Sequence, residues 1–411
     1  MRVRHSKVSS KSDGADSTLV RPSDWNADHS VDIGDLVIVS SAADFPAAVA
    51  GVRTLVSGKT YMLTGDIDLG GDRIVGSERC AIIGTTAENS SLTSTGLTGA
   101  ALISSTFALP IRNLSITAQT ALDLNGGTPG STGIDIQGVR FVSCATVGTV
   151  ANFANFLMAN VGFVDSGGLT IDGQIGTVGI RDSLFDTASG QTAIIIPSTA
   201  VITRRFRVIY SSFVTGSGET GINVSTSATI PVEGYILDTV NFSGSGTYTA
   251  GIAYTDNRAR WDNNRGISNS AAVAYYTMQG NATATTISAQ NTPVKAAGTT
   301  TAQAITQKFT HTANRATYTG GLPRTFKVTV ACGIEAGNNQ QIGILIAKDG
   351  VVAAQTESVV TTSGSGRGEG ATTFGVFELT AGQYVEVWVE NQTAVANVTV
   401  TDLSVIVEAL N

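Results

Sequence analysis

The clearest pattern in the sequence is a large apolar residue that returns every 22 to 29 positions between residues 111 and 252. The six anchors of this repeat are Ile116, Phe141, Phe163, Phe185, Phe213 and Phe242. Five positions before the anchors stand other apolar residues, Ile111, Ile136, Met158, Ile180, Val208 and Leu237. Three positions before them stand Asn113, Gly138, Asn160, Asp182, Tyr210 and Thr239. The first four of these tolerate a left-handed turn, so the pattern predicts inward-facing stretches joined by one-residue corners.

Such a repeat is typical of a parallel β-helix, in which each unit is one coil and equivalent side chains stack about 4.8 Å apart. A doubly wound α/β fold would need helices of about ten residues between its strands, and the loops here are too short. A left-handed hexapeptide coil would show a six-residue period, which the sequence lacks. We therefore predict a right-handed parallel β-helix over residues 36–255.

After about residue 290 the apolar pattern changes to alternation, which is typical of antiparallel strands with one buried face. Phe326, Val328 and Val330 alternate with polar residues, as do several later runs. Residues 290–411 are therefore expected to form an antiparallel sandwich. Trp388 and Ile406 fall on outward positions, which suggests that this domain packs against another subunit.

The remaining segments follow neither the coil repeat nor the alternating pattern. Residues 256–289 break both patterns and are predicted to be a connector. Asp44 to Gly51 is expected to be a short helix that caps the first coil, because Asp44 suits an N-cap and Gly51 a helix end. The polar leader, residues 1–35, has too little apolar surface to fold alone. It is predicted to dock onto another protein through Arg21, Pro22, Asp24, Trp25, Asn26 and His29.

The composition and net charge of the chain limit the functions that it can have. Charged residues make up 14% of the chain and the net charge is −7, which argues against nonspecific nucleic-acid binding because that requires clustered cations. The three cysteines are dispersed and show no metal-ligand spacing, so no metal or cofactor is expected. The first residues lack the apolar stretch of a secretory signal, and no run of about 18 apolar residues predicts membrane insertion.

Several segments resemble bacteriophage fibre and spike proteins. Residues 23–29 are similar to attachment segments of that group, residues 58–69 to its pectate-lyase-like β-helices, and residues 280–285 to its connectors. Residues 379–388 resemble jelly rolls of the complement and tumour necrosis factor type. The resemblance implies a homotrimeric appendage, attached to phage tail, neck or capsid proteins by its N-terminus. It also implies a protein made in the bacterial cytoplasm and located on the virion surface.

Spike β-helices often cleave glycans. Hydrolysis requires two carboxylates in one groove, and lyase chemistry of the pectate type requires a cation held by clustered acids together with an Arg or Lys base. The candidate acids on the repeats are Asp165, Asp172, Asp182, Asp186 and Glu219, and no two share a column in neighbouring coils. We therefore predict no catalytic residues and a structural, non-enzymatic protein that presents a surface for host adhesion. A polysaccharide depolymerase and a capsid decoration protein remain the alternatives.

Arg204, Arg205 and Arg207 lie in an insertion that breaks the repeat, and they are the candidate contacts for a host receptor or glycan. A solvent-exposed loop and a trimer interface are the other interpretations of this insertion.

Overall fold

The strands of the protein form a parallel solenoid of about nine coils followed by antiparallel sheets, which confirms the predicted fold class. The computed structural model describes residues 35–127, 132–363 and 369–410, and the backbone of an antiparallel pair formed by Arg2–Val3 and His29–Ser30. No helix in these ranges is long and apolar enough to cross a membrane. The hand of the coil and the trimer stay predictions.

Three parallel sheets form the walls of the solenoid, and each complete coil contributes one strand to each sheet. The ten-stranded sheet contains Leu36–Val39, Thr60–Leu63, Ala81–Gly84, Ile111–Arg112, Gly133–Gln137, Asn155–Ala159, Gln174–Arg181, Val201–Ile209, Tyr235–Asp238 and Ala259–Asp262. The nine-stranded sheet contains Val52–Thr54, Arg73–Val75, Ile103–Ser105, Thr120–Asn125, Thr146–Ala151, Leu169–Asp172, Thr192–Ile196, Thr220–Val224 and Thr247–Ala250. The eight-stranded sheet contains Asp66–Asp68, Ser91–Thr93, Ser115–Thr117, Arg140–Val142, Gly162–Ser166, Leu184–Thr187, Ser212–Thr215 and Asn241–Gly244.

The predicted anchor residues stack in one row inside the eight-stranded sheet. Ile116 pairs with Phe141, and the pairing continues in register through Phe163, Phe185, Phe213 and Phe242. Ring centroids of successive phenylalanines are 5.5, 4.8, 4.4 and 5.0 Å apart. Because aromatic contacts add to the free energy of burial, this row is a main source of solenoid stability.

All six predicted corner residues have positive φ angles, from 49° at Tyr210 to 63° at Gly138. The sequence indicated this conformation at Asn113, Gly138, Asn160 and Asp182, but not at Tyr210 or Thr239. A β-branched residue such as Thr239, with φ at 55°, is strained in this region. The stacking of coils therefore imposes the corner on residues that do not favour it.

The helix predicted from Asp44 to Gly51 is wrong. The chain forms one 3-10 turn, Ala42–Asp44, and Asp44 accepts hydrogen bonds from the preceding backbone rather than starting a helix. Phe45 is buried and stacks on Tyr61, with ring centroids 5.3 Å apart. Arg53 donates to the carbonyl oxygens of Ala42 and Pro46 and so holds the segment over the first coil. Burial of one aromatic side chain outweighs the local helix signals here.

The C-terminal part folds as two antiparallel sheets around a second core. One sheet contains Thr301–Ala302, Val273–Met278, Thr399–Ala409, Arg324–Glu335 and Glu369–Leu379, in that order. The other contains Phe309–Thr312, Arg315–Tyr318, Tyr384–Asn391, Gln341–Lys348 and Val351–Thr361, with Val294–Lys295 also paired to Tyr384–Asn391. Alternate residues from both sheets, such as Val328, Val330, Ile344 and Val387, fill the space between them.

Strands also occur inside the segment predicted as a connector, at Ala259–Asp262 and Val273–Met278. Charged side chains join the last coil to the C-terminal part. Glu233 of the solenoid forms an ion pair with Arg324 at 2.6 Å, and the buried Lys308 donates to the carbonyl oxygen of Ala259 at 2.9 Å. Burial lowers the pKa of Lys308, while the nearby Glu233 counteracts this. The end of the solenoid is thereby covered.

We expect Phe185→Ala to lower the free energy of unfolding by about 3–5 kcal/mol, because it leaves a cavity in the middle of the aromatic row. The matched control is Leu184→Ala, since Leu184 is the preceding residue and points outward. Leu184→Ala should lower the free energy of unfolding by no more than about 0.5–1 kcal/mol. Denaturant unfolding monitored by circular dichroism measures both, and equal effects would contradict the role of the row.

We expect Thr239→Asn to raise the free energy of unfolding by about 1 kcal/mol, because asparagine tolerates the left-handed corner better. The reverse change at an equivalent corner, Asn160→Thr, should lower it by a similar amount. Thermal unfolding of the two variants beside the native chain tests the pair. A stabilised Asn160→Thr variant would show that these corners carry no strain.

Candidate binding groove on the solenoid

The outer face of the ten-stranded sheet carries side chains in rows, in the same register as the core. Leu157, Gly179, Arg207 and Ile236 are direct partners on successive strands. These residues lie six positions before four of the phenylalanine anchors. Gly179 has no side chain, so the row is interrupted between Leu157 and Arg207. The interruption forms a depression on the surface of the solenoid.

The predicted contact arginines lie on a strand, Val201–Ile209, and not in a loop. This strand shifts register against Gln174–Arg181 between the pairs Ile175–Ile202 and Thr177–Arg205. It therefore carries one residue more than its neighbour at that point, as in a β-bulge. Arg204 lies in the irregular stretch, and Arg205 and Arg207 follow it in regular pairing.

A groove of about 300 Å³ occupies the depression. Its lining includes two of the three predicted arginines, Arg205 and Arg207, but not Arg204. The other residues that line it are Leu157, Thr177, Val178, Gly179, Ile180, Arg181 and Ile209. The structure thus places three arginines from two adjacent strands along one groove.

The charges of the groove are only partly compensated. Arg207 faces Asp238 of the next coil, with 3.8 Å between the guanidinium nitrogen and the carboxylate oxygen. Its Nε atom is buried and has no hydrogen-bond partner. Arg181 and Arg205 are exposed, and their side chains form no ion pair or hydrogen bond with any described residue. The groove is therefore a local cationic site on a chain with a net charge of −7.

Sequence reasoning missed Leu157, Gly179, Arg181 and Asp238. The signal was present, because they occupy the positions six and four before the repeat anchors. Extending the column alignment from inward to outward positions would have placed Arg181, Ile209 and Asp238 in one row, as the strand pairing does.

The five acids considered for catalysis lie in separate local settings. Asp165 and Asp182 have positive φ angles; Asp182 occupies a corner, and Asp165 lies within the strand Gly162–Ser166 where its pairing shifts register. Asp172 accepts hydrogen bonds from Gly173 and Thr199, and Glu219 accepts one from the backbone of Gly216. Asp186 is exposed on its strand. In the described ranges, no three His, Cys, Asp or Glu side chains come together in a way that could hold a metal ion.

The predicted attachment residues Arg21, Pro22, Asp24, Trp25 and Asn26 lie outside the described residues, as does the side chain of His29. Their role in attachment stays a prediction.

The C-terminal part exposes an apolar sheet face. Phe374, which is 66% exposed, pairs with Thr329, which pairs on its other side with Ile406. Ile406 in turn pairs with Tyr275, so one row of outward side chains crosses four strands. Val376, 56% exposed, follows Phe374 on the same face. We name the outward residues Tyr275, Phe374, Val376 and Ile406 the apolar face.

Trp388, expected on a subunit-facing surface, lies instead on the other sheet and is half-buried. Its indole N–H donates to Glu386 at 3.0 Å. Glu386 is almost fully buried and also receives Lys295 at 2.8 Å and Arg315 at 2.9 Å. Burial raises the pKa of this carboxyl, but its three hydrogen bonds outweigh that effect and hold the pKa below its ordinary value. Trp388 is part of a charged network within the chain.

No protein-family model matches the chain, and no curated protein matches it either. Among solved structures, it is similar to the enzymatically active domain of tailspike protein 4 of bacteriophage CBA120, with 11% identity and a TM-score of 0.26 over 86% of this chain and 64% of that one. A tailspike protein of Acinetobacter baumannii bacteriophage Fri1, described as a capsular polysaccharide depolymerase, shows 9% identity and a TM-score of 0.24 over 87% and 80%. Murine APRIL shows 10% identity and a TM-score of 0.25 over 34% and 98%.

These findings correct one prediction. The chain was expected not to be an enzyme, and two of the solved chains it is similar to are described as an enzymatically active domain and as a depolymerase. The expectation of a non-enzymatic protein is therefore not retained.

Proposed function

We propose that the chain is the subunit of a bacteriophage virion appendage, a fibre or spike, that presents a binding surface to the host cell. The observation that carries the proposal is a stiff solenoid of about nine coils with a cationic groove on its outer wall. Such a stack spans about 40 Å at the ordinary strand spacing. A rigid rod of this kind holds a binding surface away from its attachment point. The resemblance of the leader and connector to phage fibres supports the virion location.

In this proposal residues 1–35 attach the chain to tail, neck or capsid proteins, and Trp25 is the main anchor. A large aromatic side chain within a polar segment is typical of a docking contact. The chain is made in the host cytoplasm and displayed on the virion surface.

We expect an antibody against the C-terminal part to label the tips of appendages on intact virions in electron micrographs. Labelling spread over the head would identify a decoration protein instead.

Trp25→Ala should leave the protein folded but prevent its incorporation into particles, while Ser17→Ala, also in the leader, should incorporate normally. Normal incorporation of the Trp25→Ala chain would contradict the anchor.

The second part of the proposal is a homotrimer held together by the apolar face, with residues 290–411 acting as a trimerising jelly roll. Exposed apolar patches of this kind mark interaction surfaces in soluble proteins. Phe374 and Val376 would otherwise remain in contact with water.

We expect the native chain to sediment with three times the mass of its monomer. Phe374→Arg should sediment as a monomer, because a charge on the apolar face cannot be desolvated without a partner. Val351→Arg is the control, since Val351 is 72% exposed and lies on the other sheet. Circular dichroism confirms that each variant is folded. A native monomer, or a trimeric Phe374→Arg variant, would contradict this interface.

A further inference from the structure

We infer that the groove around Gly179 binds an acidic polysaccharide through the carboxylates of its sugar residues. This inference rests on the proposed adhesive function and assigns a ligand class to its surface. It differs from the sequence-based hypothesis in its residues, because Arg181 joins Arg205 and Arg207 and Arg204 is left out.

The shape of the groove depends on the missing side chain of Gly179. A Cβ atom there would lie 3.3 Å from Cδ1 of Leu157, at the floor of the groove. Arg205 lies at one end, opposite Thr177, and Arg181 lies at the other, opposite Ile209. Four residue steps along the strand separate these ends, or about 13 Å. The groove is therefore long enough for more than one sugar ring.

The charge of the groove selects an anion. Three arginines line it, and no lining residue is an aspartate or glutamate. Asp238 lies beside Arg207 and compensates one of the three charges at most. Like charges held in one groove repel, so a bound anion lowers their energy. Guanidinium groups pair with carboxylates in bidentate geometry, which favours a carboxylated ligand.

The same residues argue against a nucleic acid. Single-stranded nucleic acids are bound by aromatic side chains on which the bases stack, and the groove has no aromatic lining residue. Its apolar contacts are aliphatic, from Leu157 and Ile209, and these suit the C–H faces of sugar rings. The sheet also fixes the arginine backbones before binding, which reduces the entropy cost of ordering them.

The test measures binding of the full-length native protein to polygalacturonate, polysialic acid and hyaluronate by calorimetry at physiological salt. At least one of the three should bind, and its methyl-esterified form, which has lost the carboxylate charge, should not. Arg205→Ala and Arg207→Ala should each weaken binding about tenfold or more, as expected for the loss of a charged hydrogen bond. Gly179→Val should weaken it similarly while every charge is kept.

Arg204→Ala is the matched control, because it removes the same charge from an exposed neighbour that does not line the groove. It should change the affinity less than twofold. If Arg204→Ala weakens binding as much as Arg205→Ala, the attraction is nonspecific and the inference fails. Binding of none of the three polymers, or equal binding of the ester, also overturns it. Since virion labelling tests the appendage separately, failure here would leave that proposal standing.

Discussion

The solenoid depends on one constraint, the direct register between equivalent residues of successive coils. Phe163, Phe185 and Phe213 stack because the backbone ladders place their Cα atoms in pairs, and their rings fill the interior in turn. Because backbone pairing is continuous along a strand, one row fixes the neighbouring rows of the same sheet, up to the next register shift. The left-handed corners at Tyr210 and Thr239 follow from this, since a different backbone path there would move the next strand out of register.

The same register builds the groove. A single glycine, Gly179, in a row that elsewhere carries Leu157, Arg207 and Ile236, is enough to open a depression, because neighbouring strands cannot slide to close it. The extra residue near Arg204 is absorbed locally, and the pairing resumes before Arg205. A solenoid can therefore change one outward row without altering the core.

The sequence predicted the solenoid because other apolar residues stand at a fixed offset from each large anchor residue, although the anchors themselves return every 22 to 29 positions. It could not predict features that depend on contacts distant in sequence. The segment after Asp44 has good local helix signals, yet burial of Phe45 against Tyr61 extends the chain. The arginines of the candidate site were found by their interruption of the repeat, but their assignment to a strand required the pairing with Gln174–Arg181. Arg181 itself lies in a regular repeat and gave no such signal.

The C-terminal part also contains features that could not be predicted from the sequence, because they depend on contacts between distant strands. Alternation marks both Trp388 and Ile406 as outward, and nothing in either strand says whether another element covers them. The indole N–H of Trp388 donates a hydrogen bond to Glu386. The charge of Glu386 is balanced by Lys295, which lies on a strand distant in sequence. Ile406 belongs to a row with no such cover in the described residues, and Phe374 extends that row to the edge of the sheet. The tertiary structure, rather than the pattern of either strand, therefore decides which apolar side chains remain available to a second copy of the chain.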